Sequence, residues 1–272
     1  MKTASPTIEP SKDMKSLLAR FMKEFSFHIA ESEADKEKVF RLRHDVYCEE
    51  LKGIDPSDPK RRLEYDIFDE EALHCMIQHR RTGLVAACTR LVMPLPDAHP
   101  PLDKLPLQSY AAESLYSSPL HPDQLPKESY YEISRLAISR DFRPHFKGNE
   151  VPGITDNPHQ FTEREKEIFS FLVSALFLTG YALGKLTGKS LAFAMMEPRL
   201  RRLLSMSGFY FTQVGEPINL HGRRSAYCLN RQQAETGMNE QLLPLYRHIQ
   251  DQLSQQLVFL ELTGTNRSAI SQ

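Results

Sequence analysis

The stretch Glu163–Leu186 constrains the fold of this 272-residue chain more than any other segment. Phe169, Leu172, Val173, Leu176 and Leu183 recur at helical spacing, and Gly188 stands just past the end, where a left-handed cap is favoured. Strand-like runs bracket this helix, Tyr130–Ile138 before it and Ser190–Met195 after it. Upstream, Phe25–Ala30 alternates, and Leu73–Gln78 and Leu84–Met93 flank a polar RRTG turn as a hairpin. Val39, Leu42, Val46 and Leu51 predict a helix from the acidic start at Glu33. Downstream, Pro198–Ser207 reads as a proline-opened helix, Phe209–Val214 and Ser225–Leu229 as strands. Met238–Leu262 closes the chain as an amphipathic helix interrupted near Pro244. This order predicts an α/β domain, a mixed sheet with helices on its faces.

Around that domain, 23–232, we expect a loose N-terminal arm (1–22) and a C-terminal helical extension (233–272). Eight of the 18 prolines fall between Pro94 and Pro126, so that region should run as a long surface excursion. Lysine plus arginine total 34 and aspartate plus glutamate 35, a balance that argues against nucleic acid or an anionic membrane as main partner. No apolar run approaches the roughly 20 residues of a membrane span, and the amino terminus lacks the apolar core of a secretory signal. Cys48, Cys75, Cys88 and Cys228 stand singly, without disulfide density or metal-ligand spacing. A cytoplasmic protein with no metal site is the expectation. Tryptophan is absent altogether.

Chemistry concentrates in a few segments. Glu64, Asp66 and Asp69 place three carboxylates within six residues, and Arg43, Arg90 and Arg135 can each answer one through a two-pronged guanidinium pair. In the strand YEISR, alternation puts Glu132 and Ser134 on one face and Ile133 and Arg135 on the other. A carboxylate in a strand fit for burial should have a raised pKa, which suits a general base near neutral pH. The acidic segment lacks the spacing and glycine of a calcium loop.

The ordered set LRHDVY, EYDIFD, TRLVMP and YEISRLAIS resembles the autoinducer synthases that make acyl-homoserine lactones and the related N-acyl amino acid synthases. It resembles most of all the acyltransferases associated with the bacterial PEP-CTERM/exosortase system. The resemblance spans about residues 25–230. It implies a GNAT-type acyltransferase, with a twisted mixed sheet opened into a V that accepts a pantetheine arm. It also implies that Arg43, Tyr47, Glu64, Asp66, Asp69 and Arg90 line the amine-substrate pocket, and that Glu132, Ser134 and Arg135 form the transfer site. Autoinducer synthases carry a tryptophan shortly after the first helix, where this chain reads EELKGID. Its absence moves the expected acceptor from S-adenosylmethionine to an amino acid or other amine.

On this reading Glu132 takes the amine proton, and the backbone N–H groups of Leu136, Ala137 and Ile138 hold the oxyanion. Arg140, Arg143, Lys147 and Gly148, in the loop after that strand, face the acyl donor. That loop lacks the glycine-rich phosphate signature of coenzyme A users, which leaves room for the phosphopantetheine of an acyl carrier protein beside acyl-CoA. No tightly bound cofactor is expected. Arg199, Arg201 and Arg202 offer an acidic carrier protein a docking surface. Phe169, Phe171, Leu172, Leu176 and Phe177, with Phe193 and Met195, are candidates for an acyl slot. The alternatives are a lactone synthase using S-adenosylmethionine and a non-catalytic acyl-ligand-binding module.

Overall fold

The computed structural model describes residues 12–143 and 161–262. In chain order it contains α1 (Lys12–Glu24), β1 (Phe25–Ile29) and α2 (Glu33–His44), which runs into a π-helical turn, Asp45–Glu50. Next come β2 (Leu73–His79), β3 (Val85–Val92), α3 (Pro106–Tyr110), β4 (Tyr130–Ile138), α4 (Glu163–Lys166) and α5 (Leu172–Leu186). The chain continues through β5 (Leu191–Met196), α6 (Pro198–Met206), β6 (Thr212–Gln213), β7 (Ile218–Asn219), β8 (Arg223–Asn230), α7 (Arg231–Gly237) and α8 (Leu243–Leu262). The strands form one mixed eight-stranded sheet in the order β1-β2-β3-β4-β5-β8-β6, with β7 paired to β8.

β4 and β5 are the parallel pair, and they pair only briefly. Tyr130 faces Leu191, Tyr131 faces Ala192 and Glu132 faces Phe193, and there the ladder stops. β4 continues to Ile138 along β3, and β5 to Met196 along β8. The sheet therefore opens into a V whose apex is Glu132.

The two faces of the sheet are covered differently. On one, α5, α8 and α1 bury Phe21, Phe25, Ile77, Leu91, Ile133, Leu176, Phe177 and Leu253 in one apolar core. The fit is close at Gly184, where an added Cβ would lie 2.0 Å from the ring of Tyr131. On the other face α2 packs over β2, β3 and β4, and the proline-rich excursion packs over β4, β5 and β8 through Leu105 and Leu107.

Several expectations need correcting. The second half of the expected arm (1–22) belongs to a helix, Lys12–Glu24, with Leu18 and Phe21 buried, because its apolar stripe is long enough to hold the end of the sheet. The long apolar helix is broken: α4 is capped by Thr162, a tight turn follows at Phe169–Phe171, and α5 proper starts at Leu172. The span 163–186 is long and apolar enough to cross a bilayer, yet most of it is buried in the fold. Pro244 opens α8, where its missing N–H costs nothing, and does not interrupt it. The C-terminal helix is present as expected, and Leu245, Ile249 and Leu253 join it to the main core.

The acyl slot assembled from the sequence also comes apart. Phe169, Leu172, Leu176 and Phe177 lie in the α5 core, whereas Phe193 and Met195 point to the opposite face of the sheet. Phe177 is fully enclosed by Tyr181, Phe209 and Phe211.

Candidate active site

α2 ends over the centre of the sheet and delivers Arg43 into it. The guanidinium donates from Nε to Glu64 Oε2 (2.6 Å) and from both terminal nitrogens to the two Asp69 oxygens (2.7 and 2.9 Å). From β3, Arg90 donates through Nη1 to Asp66 Oδ1 (2.5 Å) and through Nε to Ser134 Oγ (3.1 Å). Arg135 on β4 completes the set, with Nε on Glu64 Oε1 (3.1 Å) and Nη2 on Asp66 Oδ2 (2.9 Å). The acidic segment is shaped to receive them: Asp66 caps the short turn Ile67–Asp69, and the Asp69 side chain accepts from the Asp66 N–H in return. Three arginines thus meet three carboxylates, and the group is electrically neutral.

Arg135 departs from the simple alternation. The β3–β4 register shifts between Cys88 and Arg90, so one residue more is fitted on β4, and Arg135 sits at φ +52°. This bulge turns Arg135 onto the same side as Ser134, where both reach the Arg90–Asp66 pair. Ile133 alone keeps the expected orientation toward α5, against Gly180.

The charge states follow from the pairing. Burial pushes Glu64 and Asp69 up, but Arg43 together with Arg135 or Arg90 outweighs it, and both stay below the ordinary carboxylate range. His74, sealed beside Asp69, is pushed down to about 3 by burial and is neutral. Glu132 behaves in the opposite way. It is buried to the same degree and has no arginine partner; its Oε2 accepts the Leu107 N–H (2.9 Å) from the first turn of α3. Burial raises its pKa to about 7. A carboxylate of that strength at the apex of the V can take up and return a proton near neutral pH.

Tyr47 comes from the π-helical turn, whose Leu51 N–H bonds back to Val46 O. Its hydroxyl donates to the Leu136 carbonyl (2.8 Å), and its ring lies 5.8 Å from the Arg135 guanidinium. Solvent reaches the cluster through Asp66 and Arg135, which are 15% and 18% exposed; Arg43, Glu64, Asp69 and Arg90 form the closed floor.

Residues 42–146 match the family model described as an acetyltransferase (GNAT) domain. Among solved structures, TofI in a ternary complex with an inhibitor and MTA superposes with a TM-score of 0.51 at 16% identity, covering 82% of this chain and 96% of that one. FeeM, an N-acyl amino acid synthase from uncultured soil microbes, gives 0.51 at 13%, covering 79% and 94%. The AHL synthase LasI gives 0.50 at 17%, covering 76% and 90%. No curated protein matches in sequence. The fold is that of the GNAT acyltransferases.

The V opens between β4 and β5. Beyond Glu132 that edge of β4 has no partner strand; Leu136 and Ile138 turn their backbone groups to it, and Ala137 turns its own to β3. Arg140 and Arg143 follow and face Glu50 at the end of the π-helical turn, Arg143 hydrogen-bonding it directly. Lys147 and Gly148 lie outside the described residues. α6, with Arg199, Arg201 and Arg202 exposed, starts where the free end of β5 stops. Elsewhere, Glu24, His79 and Glu165 approach within 4.8 Å of one another. There Glu165 caps α4 through Thr162 and accepts from Arg81 Nε (2.6 Å), fastening α4 to the sheet.

Sequence reasoning missed four contributors. The Leu107 N–H was legible, since Pro106 at the first position and Gln108 two residues on mark a helix start in KLPLQSY. Tyr110 on the same helix, edge-on to Phe68, was not. Nor were His221 and Arg224, which arrive from a hairpin whose strand β7 is only two residues long.

Proposed function

We propose that the chain is an N-acyltransferase that moves a fatty acyl group from a thioester to the amine of an amino acid. The observation that carries this reading is Glu132, the buried carboxylate of the site with no arginine partner, at the apex of the V. The acceptor enters as an ammonium drawn to Asp66. Glu132 takes one proton, the neutral nitrogen attacks the thioester carbon, and backbone N–H groups on the open edge of β4, at Leu136 and Ile138, stabilise the tetrahedral oxyanion; the Ala137 N–H turns toward β3 and is left out of this role. The C–S bond then breaks as the amide forms; the nitrogen's second proton goes to the departing thiolate, and Glu132 returns the first to water. Arg43, Glu64, Asp69 and Arg90 hold Asp66 and Arg135 in place for this. None of the four cysteines is required; Cys75, Cys88 and Cys228 are buried, and burial pushes each thiol up.

The likeness in fold to an N-acyl amino acid synthase and to an AHL synthase supports the reaction class. We favour an acyl carrier protein as donor, because α6 presents three exposed arginines beside the mouth of the V and carrier proteins are acidic. Arg140 and Arg143 would meet the donor's phosphate. Four unpaired cysteines fit a reducing cytoplasm, and the exosortase association rests on the motif resemblance.

The test is mass spectrometry of lipid extracts from cells expressing the protein or Glu132→Gln. A new acyl-amine with the first, reduced about 10²-fold or more with the second, is expected. Equal yields would remove Glu132 from the mechanism. Purified protein given carrier-bound acyl groups and S-adenosylmethionine should make no lactone, and lactone formation would select the alternative acceptor. Charge reversal at Arg199, Arg201 and Arg202 should raise the KM for carrier-bound donor.

A further inference from the structure

The β7–β8 hairpin folds its tip over the open side of the site. Ile218 pairs with Arg224 and Asn219 with Arg223, leaving a three-residue tip in which His221 (φ +51°) and Gly222 (φ +106°) are both left-handed. This turn aims His221 at the loop after α2. A Cβ added at Gly53 would stand 3.1 Å from His221 Cβ and 3.3 Å from its Nδ1. Gly53 lies in EELKGID, the stretch where the resembling synthases place a tryptophan. A side chain at 53 would press on the base of His221, which would have to give by a few tenths of an ångström. The hairpin thus fills the space over Gly53 with His221.

The same hairpin brings Arg224. One of its terminal nitrogens lies 3.4 Å from Glu197 Oε1, and its Nε is buried with no hydrogen-bond partner among the described residues. Arg224 and Arg135 both act on the Tyr47 hydroxyl, which burial pushes up to about 12 against their pull. Both also oppose a proton on His221, whose pKa is lowered by burial first and by these two cations next. His221 is therefore a neutral ring at neutral pH, and Arg224 is the cation on that side. Across Arg135, Asp66 supplies the anion.

We propose that the β7–β8 hairpin is the acceptor-selecting wall of the site: Arg224 pairs with a carboxylate on the acceptor, and His221 closes the space over Gly53 so that only a compact amine fits beneath it. The proposal rests on the acyltransferase reading and refines it, because a cation on the hairpin and the Asp66 carboxylate bonded to Arg135 suit the two charges of a zwitterionic amino acid. Discrimination against S-adenosylmethionine, which also carries an α-amino and an α-carboxylate group, falls to His221 and the space it closes over Gly53.

The test compares kcat/KM for a panel of amino acids and the matching amino-acid amides, with one acyl thioester donor, in the wild type, Arg224→Gln, Arg224→Lys and His221→Ala. The wild type should prefer the carboxylate form by more than about tenfold, an ion pair's worth of selectivity. Arg224→Gln should bring that ratio near one through the acceptor KM, and Arg224→Lys should restore part of it. His221→Ala should widen acceptance toward bulkier amines. A wild-type preference that survives in Arg224→Gln overturns the proposal. So does an effect of Arg224→Gln on the donor KM alone, which would make the residue a phosphate contact. No acylated product with any amine would instead sink the acyltransferase reading, and this proposal with it.

Discussion

On the α5 side of the sheet, Phe177, Tyr181 and Phe209 pack ring against ring with no charge among them. On the α2 side, Arg43, Glu64, Asp69 and Arg90 are buried just as deeply and touch one another through hydrogen bonds. The first face is stabilised by area removed from water, and each side chain contributes nearly on its own account. The second gains little net energy from burial, because desolvating six charged groups offsets most of their mutual attraction. What the second face gains is fixed geometry. A substrate amine meets Asp66 and Glu132 in set positions, and the apolar face holds the sheet still behind them. The difference predicts that truncation behaves additively on one face and non-additively on the other.

Arg43→Met tests the largest consequence. It leaves Glu64 and Asp69 without their main partner in a site closed to water, and should cost about 3–5 kcal/mol in urea unfolding. Replacing Arg43, Glu64, Asp69 and Arg90 together with apolar residues of similar volume, which leaves the Arg135–Asp66 pair, should recover most of that loss while leaving no activity. On the other face, adding Leu176→Ala to Phe177→Ala should deepen the loss. Equal additivity on both faces would end the distinction.

These two faces also explain what was legible in the sequence. Strands, helices and the pairing of three arginines with three carboxylates were readable, because apolar period and charge pattern are local. Arg135 was assigned to the wrong side because alternation cannot count the extra residue of a bulge. Phe177 and Phe193 were joined in one slot because the face a strand residue takes depends on its neighbours in the sheet. His221 is separated from Gly53 by most of the chain, and nothing local marks it. The buried position of Glu132 was readable, but the N–H that meets it belongs to the excursion.

Within the ionic face Glu132 should titrate against the rest. Its folded pKa of about 7 lies above the ordinary 4.5, so the fold favours the protonated form. That contribution is complete below pH 4.5 and is lost as the pH rises through about 7. Glu64 and Asp69 have lowered values, so their contribution is present above the ordinary carboxylate range and is lost as the pH falls below it. Urea unfolding of wild type and Glu132→Gln across pH should therefore diverge on the alkaline side, the variant gaining about 3 kcal/mol relative to the wild type. Parallel curves would mean that Glu132 ionises freely, which would remove its claim to act as a base near pH 7.

On the apolar face, Gly184→Ala probes contact without charge. The new Cβ would fall inside the Tyr131 ring, so the ring or α5 must move, at a cost of about 1–3 kcal/mol. Tyr131 precedes Glu132 on β4. If the V is held from behind, as the comparison requires, the variant should also lose turnover while the acceptor KM barely changes.

The smallest effect lies at the rim, where the apolar face meets water. β1 is an edge strand, and α8 covers its open side with two glutamines one turn apart. Gln252 Oε1 accepts the Phe27 N–H (3.0 Å) and Gln256 Oε1 the Ile29 N–H (2.9 Å), while Gln256 Nε2 donates to the Phe27 carbonyl (2.9 Å). Two side chains thus imitate a neighbouring strand and withhold the edge from other chains. Gln256→Ala removes two of these bonds and should cost about 1–2 kcal/mol, with Gln252→Ala costing less. Hydrogen exchange at the Ile29 amide should quicken in the first variant and at Phe27 in the second. These bonds are polar like those of Arg43, yet water can replace the lost partner at the rim. A loss at Gln256 as large as that at Arg43 would show that burial of charge is not what makes the ionic face fragile.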